Sequence, residues 1–264
     1  MKKALSVIVI VMLFVLSGCS FLQSYEDIYA NYEDHLEDNG DTYQERINLL
    51  NHVTNEALPG IVRIKKISSN KVSNAFGSGL IFDEDPFYYY VLTNHHIVYD
   101  LDIEESIYTV FDYKNNSYNA TYLAGSNLYD LAVLRITKKT EVLHIFSFAK
   151  DNPEQETHII TMGYPESQLN TIHMGDVLHY GTVTIDVDED IIDVTFDVIY
   201  AEIPVKSGSS GSAAINDSFE LIGIIYAGNF PEDASIADFA FIIPIEQVKA
   251  FLTMNEYEYH EVTS

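Results

Sequence analysis

Apolar and polar positions follow three textures along this chain. Residues 5–16 form an almost unbroken apolar run behind Lys2 and Lys3. Residues 19–41 are polar and acidic, with Tyr25-Glu26-Asp27, Tyr32-Glu33-Asp34 and Glu37-Asp38 ahead of an Asn39-Gly40 break. Such a composition cannot bury a core of its own and predicts a stalk. Ile47, Leu50, Val53 (or Thr54) and Ala57 then recur at helical spacing behind the capping-box pattern Thr42-x-x-Glu45. They predict a short amphipathic helix over 42–58, closed by Pro59.

From Gly60 onward the texture changes to short β runs separated by turn residues. These runs predict strands at 61–67, 79–82, 88–93, 107–113, 117–124 and 131–136. A second set falls at 158–163, 177–187, 192–203, 213–215, 221–226 and 239–243. The two groups of about six part near residues 150–155. We therefore expect an all-β fold of two antiparallel six-stranded barrels, about 59–150 and 151–245, with the short N-terminal helix and a C-terminal helix. That closing helix covers 246–254 and completes a domain of residues 59–254; an acidic tail follows at 255–264.

Composition alters this picture first at the N-terminus. Lys2-Lys3, the apolar run and the small residues before Cys19 make residues 1–18 a secretory signal, too short for a membrane span. Its end, Leu16-Ser17-Gly18-Cys19, resembles the lipobox of bacterial lipoproteins. That resemblance implies acylation of Cys19 and a chain held by lipid on the bacterial cell membrane, outside the cytoplasm. Cys19 is the only cysteine, so no disulfide framework and no catalytic thiol remain. Core packing must hold the fold, with 14 Phe and 19 Tyr supplying the aromatic bulk in the absence of Trp. Fourteen basic residues stand against 40 acidic ones, a net charge of −26. This balance argues against nucleic acid or anionic lipid as partners, because phosphate contacts need clustered Lys and Arg.

Candidate chemistry lies in three strings. The first is Thr93-Asn94-His95-His96-Ile97-Val98, at the end of the strand expected over 88–93. Adjacent strand residues point to opposite faces, so one histidine of the pair would face a partner and the other would not. Asp130 precedes the apolar strand Leu131-Ala132-Val133-Leu134, where a partly buried carboxylate needs a charge-assisted donor such as an imidazole N–H. The last string is Gly208-Ser209-Ser210-Gly211-Ser212, directly after Ile203-Pro204-Val205. Glycines there permit the backbone turn that an oxyanion hole requires. Taken alone the string also fits a flexible loop, and Ser209, Ser210 and Ser212 are all candidate nucleophiles. The order histidine, aspartate, serine is one of the chain orders in which a Ser-His-Asp triad occurs.

With these strings in place, the chain resembles the chymotrypsin-like serine proteases, and within them the bacterial HtrA (high-temperature-requirement) type. Thr93 to Val98 matches the family's T-N-x-H-V, Asp130 to Leu134 its D-L-A-V-L, and Gly208 to Ser212 stands where the family has G-N-S-G-G. Gly77-Ser78-Gly79, Met162-Gly163-Tyr164-Pro165, Tyr180-Gly181-Thr182-Val183 and Phe239-Ala240-Phe241-Ile242-Ile243-Pro244 extend the likeness over residues 57–251. Departures are Ser209 for Asn, Ser212 for Gly and Ala213 for Pro. A further departure expected is the lack, after Ser264, of the PDZ module common in that group.

The resemblance implies His96, Asp130 and Ser210 as catalytic residues and the backbone N–H groups of Gly208 and Ser210 as oxyanion donors. It implies no cofactor and no metal. Tyr226, Ala227 and Gly228, with Pro204 at the base, would wall the substrate pocket; no acidic side chain stands there, so an apolar P1 residue is expected. The expected function is serine endopeptidase on unfolded or exposed protein segments. A silent or activator-gated pseudoprotease acting as a binding module is the alternative. A homo-oligomer, a trimer by family resemblance, is the assembly implied.

Overall fold

The computed structural model describes residues 47–68, 74–99, 106–167, 171–187, 190–230 and 235–262. The signal segment, Cys19 and the stalk lie outside the described residues. The chain divides into two compact units, residues 1–51 and 52–264. Within the first, residues 47–51 are helical. The second opens with a helical lead-in, a π-turn at Val53–Ala57 and a 3-10 turn at Leu58–Gly60, in which Val53, Ala57 and Leu58 are buried.

The rest of this unit is two closed barrels, as the strand pattern predicts. In the first, β1 (Ile61–Ile67), β2 (Asn74–Glu84), β3 (Tyr88–Thr93), β4 (Ile107–Phe111), β5 (Ser117–Ser126) and β6 (Leu131–Thr137) close in the order β1-β2-β3-β6-β5-β4. A single helical turn, α1 (His95–Val98), follows β3. The second barrel uses β7 (His158–Gly163), β8 (Thr171–Gly181), β11 (Val198–Ala201), β13 (Ala213–Ile215), β14 (Leu221–Gly228) and β16 (Ala240–Pro244). They close in the order β11-β16-β14-β13-β7-β8. Renumbered within its own barrel, this is the same cyclic order as the first. Two small ribbons, β9 (Thr184–Val187) with β10 (Asp190–Asp193) and β12 (Val205–Lys206) with β15 (Ile236–Ala237), stand outside the barrels. The closing helix is α2 (Ile245–Met254).

Alternation explains why the strands close this way. Along β1, Val62 and Ile64 enter the first core with Ile81, Val91, Val110, Leu134 and Ile136, while Arg63 and Lys65 face outward. Those two cations lie over the rings of Phe111 and Phe76, their cross-strand partners on β4 and β2. Cross-strand pairs of this kind fix register, and closure leaves no open sheet edge. The second barrel has its own core, built from Ile159, Val177, Ile199, Ile222, Ile225 and Ile242 among others.

Three expected strands are revised. The one read at 79–82 is simply longer, over Asn74–Glu84. The one read at 177–187 begins earlier, at Thr171, and stops at Gly181, with the chain leaving the barrel into the β9–β10 ribbon. The one read at 192–203 is interrupted at 194–197, where the chain returns from that ribbon and Val194 is buried. After α2, residues 255–262 fold back rather than trail away. Tyr259 stacks on Phe148 at 5.2 Å, Tyr257 meets Phe82 edge-on at 6.0 Å, and the Phe148 N–H donates to the His260 carbonyl at 2.7 Å.

Candidate active site

The first barrel delivers an imidazole and a carboxylate together. Asp130 ends the β5–β6 turn with a left-handed backbone (φ 47°), uncommon outside glycine, which sets its side chain back toward α1. Its Oδ2 lies 2.6 Å from His96 Nδ1, and its Oδ1 accepts the His96 backbone N–H at 2.8 Å. Its main-chain carbonyl accepts the Asn94 side-chain amide at 3.0 Å and the His95 N–H at 3.1 Å. The Asp130 side chain is 2% exposed and that of His96 24%. A carboxylate only accepts, so this contact puts the neutral imidazole's proton on Nδ1 and leaves Nε2 as the free lone pair.

The two histidines are arranged differently from the strand reading. Both stand on α1, where successive residues turn by about 100°, rather than on opposite faces of a strand. His95 is buried against Gly125 and the ring of Tyr99, whose centroid is 5.2 Å away. Burial pushes its imidazole below the ordinary histidine value, outweighing the opposing charge of Asp130.

The second barrel supplies the serine on a turn fixed from several sides. Gly208 (φ 89°) and Gly211 (φ 85°) take left-handed conformations that a side chain would strain, and a methyl at Gly211 would also strike the Ser78 carbonyl. Ser78, from β2 of the first barrel, is fully buried beneath this turn. Its N–H donates to the Ser210 carbonyl (2.8 Å), and its hydroxyl donates to the Gly208 carbonyl (2.9 Å) while accepting the Tyr164 N–H (2.8 Å). The Ser207 carbonyl accepts the Glu166 N–H at 2.7 Å. Because a trans peptide is planar, the Gly208 N–H therefore points away from Glu166. Among the described residues neither the Gly208 nor the Ser210 N–H donates to a protein acceptor.

The three serines differ in setting. Ser209 is buried, and its hydroxyl accepts the Lys206 N–H at 3.2 Å; Ser212 is buried against Gly163. Ser210 is half-buried, and its hydroxyl donates to the Tyr226 carbonyl at 3.2 Å rather than to His96. The His96 and Tyr226 rings lie edge-on with centroids 6.5 Å apart.

Of the residues expected to wall a pocket, Ala227 and Gly228 are half-buried on β14 and Pro204 is exposed. The Tyr226 side chain is fully buried, so this residue offers its main chain rather than its ring. Val205 and Ala237, from the β12–β15 ribbon, pack against Gly228 and occupy the space a side chain there would take. Among the described residues, no group of three His, Cys, Asp or Glu side chains is placed to hold a metal. Sequence reasoning missed Ser78 as the tie between the barrels; its only signal was a hydroxyl residue between two glycines on the strand before β3.

Two closed six-stranded barrels, one presenting a histidine–aspartate pair and the other a serine between left-handed glycines, define the chymotrypsin-like class. The Trypsin-like peptidase domain family matches residues 77–224, more than half of the chain, and the protein belongs to that family. Solved structures agree on the fold. The active form of the Rv3671c protease from M. tuberculosis is 20% identical, with a TM-score of 0.62 over 78% of this chain and 84% of that one. Its inactive form is 21% identical, with a TM-score of 0.58 over 75% and 89%. An alanine variant of the HtrA-type protease AlgW, solved with a tripeptide, is 19% identical with a TM-score of 0.63 over 80% of this chain and 64% of that one.

Proposed function

We propose that this chain is a serine endopeptidase that cleaves exposed or unfolded protein segments through an acyl-enzyme on Ser210. The observation that carries the reading is the double hold of Asp130 on His96, through Nδ1 and through the backbone N–H. It turns the Nδ1 edge of the ring toward Asp130 and sets the tautomer that a general base needs. In the reaction, the Ser210 hydroxyl exchanges the Tyr226 carbonyl for His96 Nε2 and attacks the substrate carbonyl as Nε2 takes its proton. The Gly208 and Ser210 N–H groups stabilise the resulting oxyanion. His96 then protonates the leaving amine as the C–N bond breaks, and water, deprotonated by His96, releases the acyl group. Pro204, Ala227 and Gly228 offer no acidic side chain, which suits an apolar P1 residue.

Acylation of Cys19 would hold this activity outside the cytoplasm, on the bacterial cell membrane, and a homotrimer is the assembly that the family resemblance suggests. Fluorophosphonate labelling of a soluble form beginning after Cys19, read by intact mass, tests the catalytic reading. One adduct is expected, absent from Ser210→Ala and His96→Ala. An unlabelled parent would favour the silent or gated alternative, and Ser210→Ala labelled like the parent would refute the assignment.

A further inference from the structure

We propose that Tyr226 is a positioning residue, whose buried ring holds the His96 imidazole in the plane that Asp130 requires. The inference rests on the reading of His96 as general base. Three observations converge on this tyrosine. Along β14, Ile225 pairs with Ile242 and Ala227 with Phe241, so Tyr226 is an extra residue in the ladder with β16, a β-bulge. Bulges re-aim a residue out of the ladder, and they recur beside active sites. Here the bulged residue's carbonyl receives the Ser210 hydroxyl at 3.2 Å. Its side chain is among the largest fully buried ones in the protein, and its ring stands at 70° to the His96 ring.

The geometry says what this contact does. The Nδ1 bond to Asp130 pins one edge of the imidazole but leaves the ring free to rock about that bond. An aromatic ring set edge-to-face removes this freedom, because any tilt loses the favourable quadrupole contact or creates overlap. Filling the space beside His96 with a rigid ring also denies the imidazole an alternative rotamer. Tyr226 thus touches both reacting partners, the base through its ring and the nucleophile through its carbonyl, without itself contacting substrate through its side chain.

The test compares Tyr226→Leu and Tyr226→Phe with the parent in two readouts. The first is the low-field proton NMR resonance of the His96 Nδ1–H, assigned by its absence in Asp130→Ala. The second is the split of kcat from KM on a peptide substrate. In Tyr226→Leu the resonance is expected to broaden or vanish and kcat to fall about a hundredfold, the scale of a small misplacement of a catalytic group, with KM little changed. Tyr226→Phe, which keeps the ring, is expected to recover the resonance and most of the lost kcat. Tyr226→Met refills the space without a ring and replaces the leucine variant if that one does not fold. A ring-less variant that keeps both resonance and kcat would overturn the proposal, as would Tyr226→Phe behaving like Tyr226→Leu. If the parent hydrolyses no peptide, the endopeptidase reading fails separately and the NMR resonance alone decides the role of Tyr226.

Discussion

Replacing Ser78 by alanine cuts one side-chain tie between the two barrels while leaving a backbone tie in place. The hydroxyl is fully buried and makes two bonds, donating to the Gly208 carbonyl at 2.9 Å and accepting the Tyr164 N–H at 2.8 Å. Ser78→Ala leaves the Tyr164 N–H buried without an acceptor, at a cost of about 1–3 kcal/mol for the unmet group. Loss of the bond to the half-buried Gly208 carbonyl adds about 0.5–1.5 kcal/mol. The total expected is about 1.5–4.5 kcal/mol, or a Tm lower by roughly 3–18 °C for a domain of this size. The Ser78 N–H bond to the Ser210 carbonyl does not involve the side chain, so the fold is expected to survive.

Urea unfolding followed by near-UV circular dichroism of the tyrosines measures this, since the chain has no Trp to report by fluorescence. The midpoint should fall with the m-value unchanged, because the surface exposed on unfolding is the same. Fluorophosphonate labelling should slow as well, because the freed Gly208 carbonyl loosens the turn that holds Ser210. Ser209→Ala is the control. Its hydroxyl closes only a local turn onto the Lys206 N–H, and about 0.5–1.5 kcal/mol is expected. A Ser78→Ala variant within about 0.5 kcal/mol of the parent, the usual range for a featureless surface change, and labelled at the parent rate would refute the reasoning.

Three further outcomes follow from the same geometry. Gly211→Ala combines a left-handed φ with a collision against the Ser78 carbonyl; it should destabilise by more than about 3 kcal/mol, seen as loss of soluble folded protein or a sharply lowered urea midpoint. Asp130→Asn should lower kcat about ten-thousand-fold at near-parent stability, by admitting the wrong imidazole tautomer, and steady-state kinetics on a peptide would show it. Burial pushes Tyr180 up to about 12, and it pushes Tyr118 and Tyr164 up as well. Their protonated forms are favoured by folding, so this stabilisation is complete below the ordinary tyrosine value near 10 and is lost as pH rises from there through the folded-state values. Ultraviolet titration should show these phenols ionising only with unfolding, and full reversible ionisation by pH 11 would contradict it.

The strands that were legible in the sequence are those whose burial is decided locally. β1, β3, β7 and β13 are short apolar runs between polar breaks, and their bounds stand where the pattern put them. Thr171 to Met174 alternates polar and apolar for only four residues before Gly175-Asp176, a pair depleted in strands, so the start of β8 left a weak signal. His95-His96-Ile97-Val98 has the composition of a strand continuing; only its packing makes it a helical turn, and that turn separates the two histidines. The site was legible in order but not in register. Choosing Ser210 over Ser209 and Ser212 depends on which hydroxyl the turn leaves accessible, and that is set by left-handed φ at Gly208 and Gly211. The tie from Ser78 to Gly208 spans 130 residues of sequence, beyond the reach of any local pattern.

The three departures around Ser210 then acquire a structural meaning. Ser209, in place of an asparagine, spends its hydroxyl on the turn itself, through the Lys206 N–H. Ser212, in place of a glycine, is tolerated because Gly163 lies beneath it with no side chain to meet. Ala213, in place of a proline, takes an ordinary ladder position between Met162 and Ile224. Each departure is absorbed by a contact that does not touch the Ser210 hydroxyl or the two free N–H groups. What a working serine needs from this loop is backbone: two left-handed glycines, a carbonyl held by Glu166, and two carbonyls held by Ser78. A loop specified through its main chain can change its neighbouring side chains and keep its chemistry, which is why these substitutions do not by themselves argue for a lost active site.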